Sequence, residues 1–184
     1  MSKIQRVAIF CGSKFGNNDL YLQHAKELAT LFAQHNIELI YGGGKNGLMG
    51  VVADTVMQQG GTVRGVIPKI LLGWEHQHQG ISELLVVDDM HIRKRKLYEL
   101  CDAAVILPGG FGTLDELFEI LTWNQLAIHD KKIFLLNSGG FYKHLLQHMQ
   151  LLADEDFLYG NLSELMVVLN EPKDFLSHLA TDQS

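Results

Sequence analysis

Only two cysteines, Cys11 and Cys101, occur in 184 residues. Each adjoins a predicted strand, so a disulfide framework is excluded and two buried, reduced thiols in a cytoplasmic protein are expected. Positive charge is also scarce. Fifteen Lys and Arg stand against 21 Asp and Glu, a net charge of −6. A nucleic-acid polymer is therefore not the expected partner, although a few basic residues could still hold one small phosphate. The opening segment MSKIQRVAIFCGS has no long apolar signal core and reads better as the approach to a strand. No stretch reaches the length of a membrane span, so no membrane partner is expected. Linkers, low-complexity tracts and internal repeats are missing too, and one domain over residues 1–184 is expected.

Apolar residue types make up 47% of the chain and glycines number 18, which fits a compact α/β protein. Short apolar runs alternate with stretches of helical period. Strands are predicted at Arg6–Cys11, Ile37–Tyr41, Thr62–Ile67, Leu84–Val87, Ala103–Leu107, Lys132–Leu136 and Leu165–Leu169. Helices are predicted at Asp19–His35, Leu48–Gln59, from a cap at Asp88 or Asp89 to Leu100, over Leu117–Trp123, at Phe141–Leu152, and from Pro172 onward. Residues 69–83 keep no period and read as an irregular loop. Strand–helix alternation at this spacing implies a single-domain Rossmann-like α/β fold, its central sheet mostly parallel and flanked by helices. Ligands in such folds sit at the carboxyl ends of the strands. Glycine turns follow three predicted strands, at Gly12, Gly42–Gly47 and Gly109–Gly112, and should share that rim.

The turn Pro108–Glu116, PGGFGTLDE, carries the most chemistry. Bare peptide groups at a helix start, with the positive end of its dipole, suit a phosphate. Glu116 brings a carboxylate to the same place. The plain alternative is a T-x-x-E capping box, in which Thr113 and Glu116 satisfy each other's backbone N–H groups. Upstream, Met90–Lys96 (MHIRKRK) holds four consecutive cations, which cannot share one helix face because each residue turns about 100°. Arg93, near the helix start, opposes the dipole there. It reads either as part of a charged surface or as a group projecting over the rim towards Glu116. The Gly42–Gly47 loop fits G-x-G-x-x-G, but the next strand ends Val66-Ile67-Pro68-Lys69 without the carboxylate that a dinucleotide site needs. That leaves a close approach to a mononucleotide or phosphate, or a tight turn. His76-x-His78 and His144-x-x-x-His148 have metal-like spacing without further ligands, so no metal is expected. Cys11 lacks an arguable base partner and reads as a packing residue. Trp74 and Trp123 could stack on a base or fill a subunit contact.

MHxRK at Met90–Lys94, PGGxGTxxE at Pro108–Glu116, CGS at Cys11–Ser13, YGGGxxGLMG at Tyr41–Gly50 and TWxQLxIHxK at Thr122–Lys131 together resemble the LONELY GUY family. Its members are cytokinin riboside 5′-monophosphate phosphoribohydrolases, often labelled "possible lysine decarboxylase". The resemblance covers nearly the whole chain. It implies catalytic residues at Arg93 and Glu116. Substrate-binding positions are implied at Ser13, Gly43, Gly44, Glu75, Lys94, Gly110, Phe111, Gly112, Thr113, Leu114, Asp115 and Thr122. The loop around Glu75, with His76-Gln77-His78-Gln79, and Asn124 depart from the family pattern and bear on the base preferred. The implied reaction hydrolyses the N-glycosidic bond of AMP or an N6-substituted AMP, with no cofactor, in a homodimer. A rival from another class is a non-catalytic nucleotide carrier or sensor of the molybdenum-cofactor-carrier type. Lysine decarboxylase chemistry would need a pyridoxal-binding lysine, and neither Lys45 nor Lys94 has a recognisable context for one.

Overall fold

The computed structural model describes residues 4–72 and 77–179. Seven strands form one sheet: β1 (Arg6–Phe10), β2 (Glu38–Tyr41), β3 (Val63–Pro68), β4 (Glu83–Val87), β5 (Ala103–Ile106), β6 (Lys132–Leu136) and β7 (Val167–Leu169). Their order is β4-β3-β2-β1-β5-β6-β7, and every pairing is parallel. The chain winds outward one way from β1 and the other way from β5. The gap between the carboxyl ends of those two strands is thus the topological switch point where such sheets take ligands.

Strand periodicity divides the core between the two faces. Val7, Ile9, Leu39, Tyr41, Val105 and Phe134 face helices α1 (Asp19–Gln34) and α2 (Gly47–Gln58). Ala8, Phe10, Ile40, Ala104, Ile106 and Leu135 face α3 (Met90–Leu100), α4 (Phe111–Gln125) and α5 (Lys143–Asp154). A sheet covered on both sides needs near-continuous apolar strands. AAVI of β5 is buried at all four positions and shows the rule. A short helix α6 (Leu162–Leu165) precedes β7. At the opposite rim Asp102 fastens the start of β1: Arg6 Nη2 donates to its Oδ1 at 2.7 Å, and the N–H groups of Gln5 and Arg6 donate to Oδ2 at 3.1 and 2.8 Å. Among the described residues no helix is long and apolar enough to cross a membrane.

Most element bounds lie within two residues of the sequence reading, α6 is an addition to it, and three differences go further. The segment from Pro172 is a 3₁₀ turn to His178, not an α-helix. Residues 69–83 include a 3₁₀ turn at Lys69–Leu71 and the first residue of β4. Most consequential, α4 begins at Phe111, six residues before the predicted Leu117.

Candidate active site

That early start changes the meaning of PGGFGTLDE. Gly110 is the N-cap, with no side chain to offer, and Phe111, Gly112 and Thr113 form the first turn of α4. The N–H groups of an α-helix's first turn have no carbonyl within the helix to bond. Leu114 N–H is the first to reach back, to Gly110 O at 3.1 Å. A capping box would need Thr113 at the cap, so that reading is corrected: Thr113 and Glu116 lie inside the helix, both buried. The two glycines before Phe111 serve different ends. A Cβ on Gly109 would overlap the Thr113 hydroxyl and come within 2.9 Å of Gly12 N, whereas one on Gly110 or Gly112 would meet no protein atom within 4 Å. Packing inside the chain demands glycine at 109 and leaves 110 and 112 bare on an open side. The turn is fixed from below, because Gly12 N–H donates to Pro108 O at 3.0 Å and Leu48 N–H donates to Gly12 O at 3.0 Å.

Asp89 caps α3 by accepting from Ile92 N–H at 2.8 Å, while Asp88 pairs with Lys69 instead. The four cations of α3 then divide as a 100° turn per residue requires. Arg93 is buried, Lys94 half-buried, and Arg95 and Lys96 exposed. The Arg93 guanidinium crosses under the rim, with Nε donating to Val66 O at 3.2 Å and Nη2 to Gly42 O at 3.3 Å. A side chain at position 42 would collide with it. Lys94 turns to α4, where Nζ lies 2.8 Å from Asp115 Oδ2 and 3.3 Å from Glu119 Oε2. Adjacent residues of α3 thus reach the strand ends and the neighbouring helix.

Arg93 and Glu116 line one cavity of about 250 Å³ at the switch point, with Gly12, Ser13 and Gly42 on one side and Gly110–Thr113 on the other. All three glycine turns meet there, as their shared rim implies. Burial pushes the Glu116 carboxyl above its ordinary value of 4.5, against the hydrogen bond from Tyr98 and the pull of Arg93 and Lys94, while Glu119 pushes the same way as burial. Arg93 therefore favours the ionised acid, as its charge requires, and burial outweighs it. Cys11 also lines the cavity, but burial holds its thiol up at about 12, which leaves it unreactive as a nucleophile.

The structure distributes the other sequence candidates as follows. Ser13, Gly110, Phe111, Gly112, Thr113 and Asp115 line the cavity. Gly43 and Gly44 turn away from it: Gly43 O accepts from His78 N–H at 2.9 Å and Gly44 bridges to Gln77, so the wall residue of that turn is Gly42. Lys94 and Leu114 stand on the two helices without lining it. Thr122 is exposed three turns along α4, its hydroxyl donating to Phe118 O at 2.7 Å. Helical geometry explains this, since eleven residues beyond the start of α4 is about 16 Å away. Glu75, with Trp74 and His76, lies outside the described residues. His78 is engaged at both ring nitrogens: Gly80 N–H donates to Nδ1 at 3.1 Å, so Nε2 carries the hydrogen offered to Asp54 Oδ1 at 3.0 Å. The Gly42–Gly47 turn reads in the sequence as a close approach, and its wall residue is Gly42; neighbours of the site that the sequence reading does not single out as such include Met49, Met90 and Tyr98. A wider hollow, about 650 Å³, lies at the opposite rim around His129, Lys131 and Glu164, and neither Glu116 nor Arg93 lines it.

A doubly wound parallel sheet, with an uncapped helix start and a buried acid at its switch point, defines a Rossmann-like α/β protein whose site suits a small anion. Comparison with known proteins narrows this. The family model described as "Possible lysine decarboxylase" matches residues 49–179. The cytokinin riboside 5′-monophosphate phosphoribohydrolase LOG1 of Arabidopsis thaliana is 42% identical over 178 residues, 97% of this chain and 84% of that protein. LOG2 of the same plant is 40% identical over 197 aligned positions, covering all of this chain and 92% of the relative. The chain belongs to this LONELY GUY family, the one covered by the "Possible lysine decarboxylase" model. Its fold also matches the Moco carrier protein from Chlamydomonas reinhardtii, with a TM-score of 0.72 at 19% identity over 96% of this chain and 95% of that one. The molybdenum cofactor binding protein from Rippkaea orientalis gives 0.69 at 18% identity, over 97% and 96%.

Proposed function

We propose that the protein hydrolyses the N-glycosidic bond of purine nucleoside 5′-monophosphates, giving the free base and ribose 5-phosphate. The observation that carries this reading is one cavity shared by a bare helix start and a buried carboxylate. The 5′-phosphate accepts hydrogen bonds from the free N–H groups of Phe111, Gly112 and Thr113 and from the Ser13 and Thr113 hydroxyls, where the α4 dipole favours negative charge. The ribose then lies towards Glu116, one helical turn along. As the C1′–N9 bond breaks, its electron pair leaves with the base, which takes up a proton, and positive charge builds on the ribose. The Glu116 carboxylate stabilises that charge, as carboxylates do in glycosidases. Water adds to C1′ and gives up a proton, which a carboxylate with a raised pKa is suited to accept. Arg93, held by the carbonyls of Val66 and Gly42, supplies the cation that binds the substrate and offsets the charge of Glu116.

The plant relatives are named for cytokinin riboside 5′-monophosphate, so the substrate is AMP or an N6-substituted AMP. No redox cofactor or metal enters this scheme. Lys94 and Asp115 act by fixing α3 against α4, and Gly43 and Gly44 act by shaping the turn whose Gly42 lines the cavity; Leu114, Glu75 and Thr122 are assigned to the substrate by the family resemblance alone. The 184 residues work as one nucleotide-binding domain, in the cytoplasm and as a homodimer. Phe118, Leu126 and Ile128, 41%, 65% and 61% exposed, give α4 and the turn after it an apolar outer face that a second copy would cover. Light scattering on a size-exclusion column tests the dimer. The reaction is tested by incubating the protein with AMP and with isopentenyladenosine monophosphate and resolving free base by chromatography. Binding of both nucleotides without base release would leave a carrier and overturn the hydrolase reading.

A further inference from the structure

Tyr98 sits on α3 five residues beyond Arg93 and is buried at 2% exposure. Its hydroxyl donates to Glu116 Oε2 at 2.9 Å, with the Glu116 carbonyl oxygen 3.0 Å away. The ring has no room to swing. Ring-centroid distances are 5.8 Å to Phe10, 4.8 Å to Trp123, which meets it edge-on, and 5.9 Å to His129. Burial and the adjacent Glu116 raise the phenol far above its ordinary pKa, so it remains a donor at any working pH.

A carboxylate needs such a partner. The terminal torsion of glutamate is broad, so the rotamer alone does not fix the plane of the carboxylate. One fixed donor sets that plane. We propose that Tyr98 is the positioning residue of the acid: its O–H engages Oε2 and presents Oε1 of Glu116 to the sugar. The proposal rests on the reading of Glu116 as the reacting carboxylate and adds a residue outside the motif set that points to the family. Tyr98 touches no substrate. It acts through Glu116, and because it stands on the same helix as Arg93 it also couples the position of the acid to that of the guanidinium.

The charged and titratable groups around Glu116 are Arg93 and Lys94 from α3, Asp115 and Glu119 from its own helix, and Cys11 from the end of β1. Removing the Tyr98 hydroxyl leaves all of these in place. The deletion lowers the stability of the ionised acid relative to the protonated one, so its pKa rises.

The experiment is Tyr98→Phe, which keeps the ring packed on Trp123. For AMP, kcat is expected to fall about 10- to 100-fold with KM changed less than about threefold, because the anion turn is untouched. The acid limb of the kcat profile is expected to move up by about half a unit to one unit. A role in packing alone would lower the melting temperature and leave that limb in place. Incorporating 3-fluorotyrosine at position 98, a stronger donor that leaves the packing nearly unchanged, should move the limb the other way. Carbon-13 titration of the Glu116 carboxyl in parent and Y98F proteins needs no turnover. Equal titration curves overturn the assignment of Tyr98, whatever the activity. A difference in titration, in a parent that releases no base, keeps Tyr98 as the partner of Glu116 and overturns the reaction instead.

Discussion

The Arg93 guanidinium occupies the space that any side chain at residue 42 would need, and its Nη2 donates to the Gly42 carbonyl at 3.3 Å. Glycine is thus required at position 42 by a side chain from an element 51 residues away. Gly42→Ala should fold, since the overlap is with the far end of a flexible side chain, but Arg93 must leave its two carbonyls. Hydrolysis of AMP is expected to fall about 10- to 100-fold in kcat/KM, with the melting temperature lowered by a few degrees. Kinetics and thermal melts on the one variant check both. Unchanged kcat/KM would show that the guanidinium is not needed where it lies.

Glu116→Gln separates chemistry from stability. Base release is expected to drop at least about 100-fold. Stability should move the other way. A carboxyl whose pKa is raised on folding binds its proton more tightly in the native state, so the native state loses stability as pH rises from 4.5 towards the raised value. The glutamine variant is free of that loss. Urea melts at pH 4, 6 and 8 should show its advantage over the parent growing with pH. An advantage that shrinks with pH would mean that the acid is held ionised by its neighbours more strongly than burial opposes it.

The glycines of the anion turn give a contrast within three residues. Gly110→Ala and Gly112→Ala meet no protein atom, so both should fold like the parent. Gly112→Ala should even melt slightly higher, alanine being the better helix former. Both place a methyl group over the proposed phosphate position, and KM for AMP is expected to rise about tenfold or more, roughly 1.4 kcal/mol. Gly109→Ala, by contrast, meets Thr113 and Gly12 and should lose stability first. Three melting curves and three KM values settle the order, and equal KM values for parent, G110A and G112A would remove the phosphate from this turn.

At the far rim, Asp102 accepts three hydrogen bonds from Arg6 and the backbone of Gln5 and Arg6. Burial works against its charge, yet these donors hold its pKa below the ordinary 3.8. The stability it contributes is present above pH 3.8 and is lost as pH falls through the lowered value. Asp102→Asn should therefore melt a few degrees below the parent at pH 7 and converge on it in acid, with base release at pH 7 unchanged. A constant gap across pH would mean that shape, not charge, matters there.

The strands and the rim were legible in the sequence because buried parallel strands read as unbroken apolar runs, as AAVI does at Ala103–Ile106. The start of α4 was not. Glycine disfavours helix interiors, so Gly110-Phe111-Gly112 reads as turn, although the first helical turn loses little from it because its N–H groups bond nothing within the helix. Arg93 could be singled out because a cation at a helix N-terminus is out of place, but the carbonyls that hold it come from Gly42 and Val66, too distant in the chain for any spacing rule. Tyr98 stayed hidden for the same reason. Its partner lies 18 residues on, across a strand and a turn, and nothing in MHIRKRKLYEL tells a tyrosine that holds an acid from one that fills space.

The Gly12–Pro108 hydrogen bond joins peptide to peptide across the two central strands. Side-chain replacement cannot delete it, short of a proline at position 12. This backbone link is therefore insensitive to exchange of the side chains above it, on α3 and α4, whereas a Cβ at Gly109 would press on its donor. A scaffold held in this way keeps its backbone while the side chains above it change, and the same backbone is found in chains 18% and 19% identical to this one.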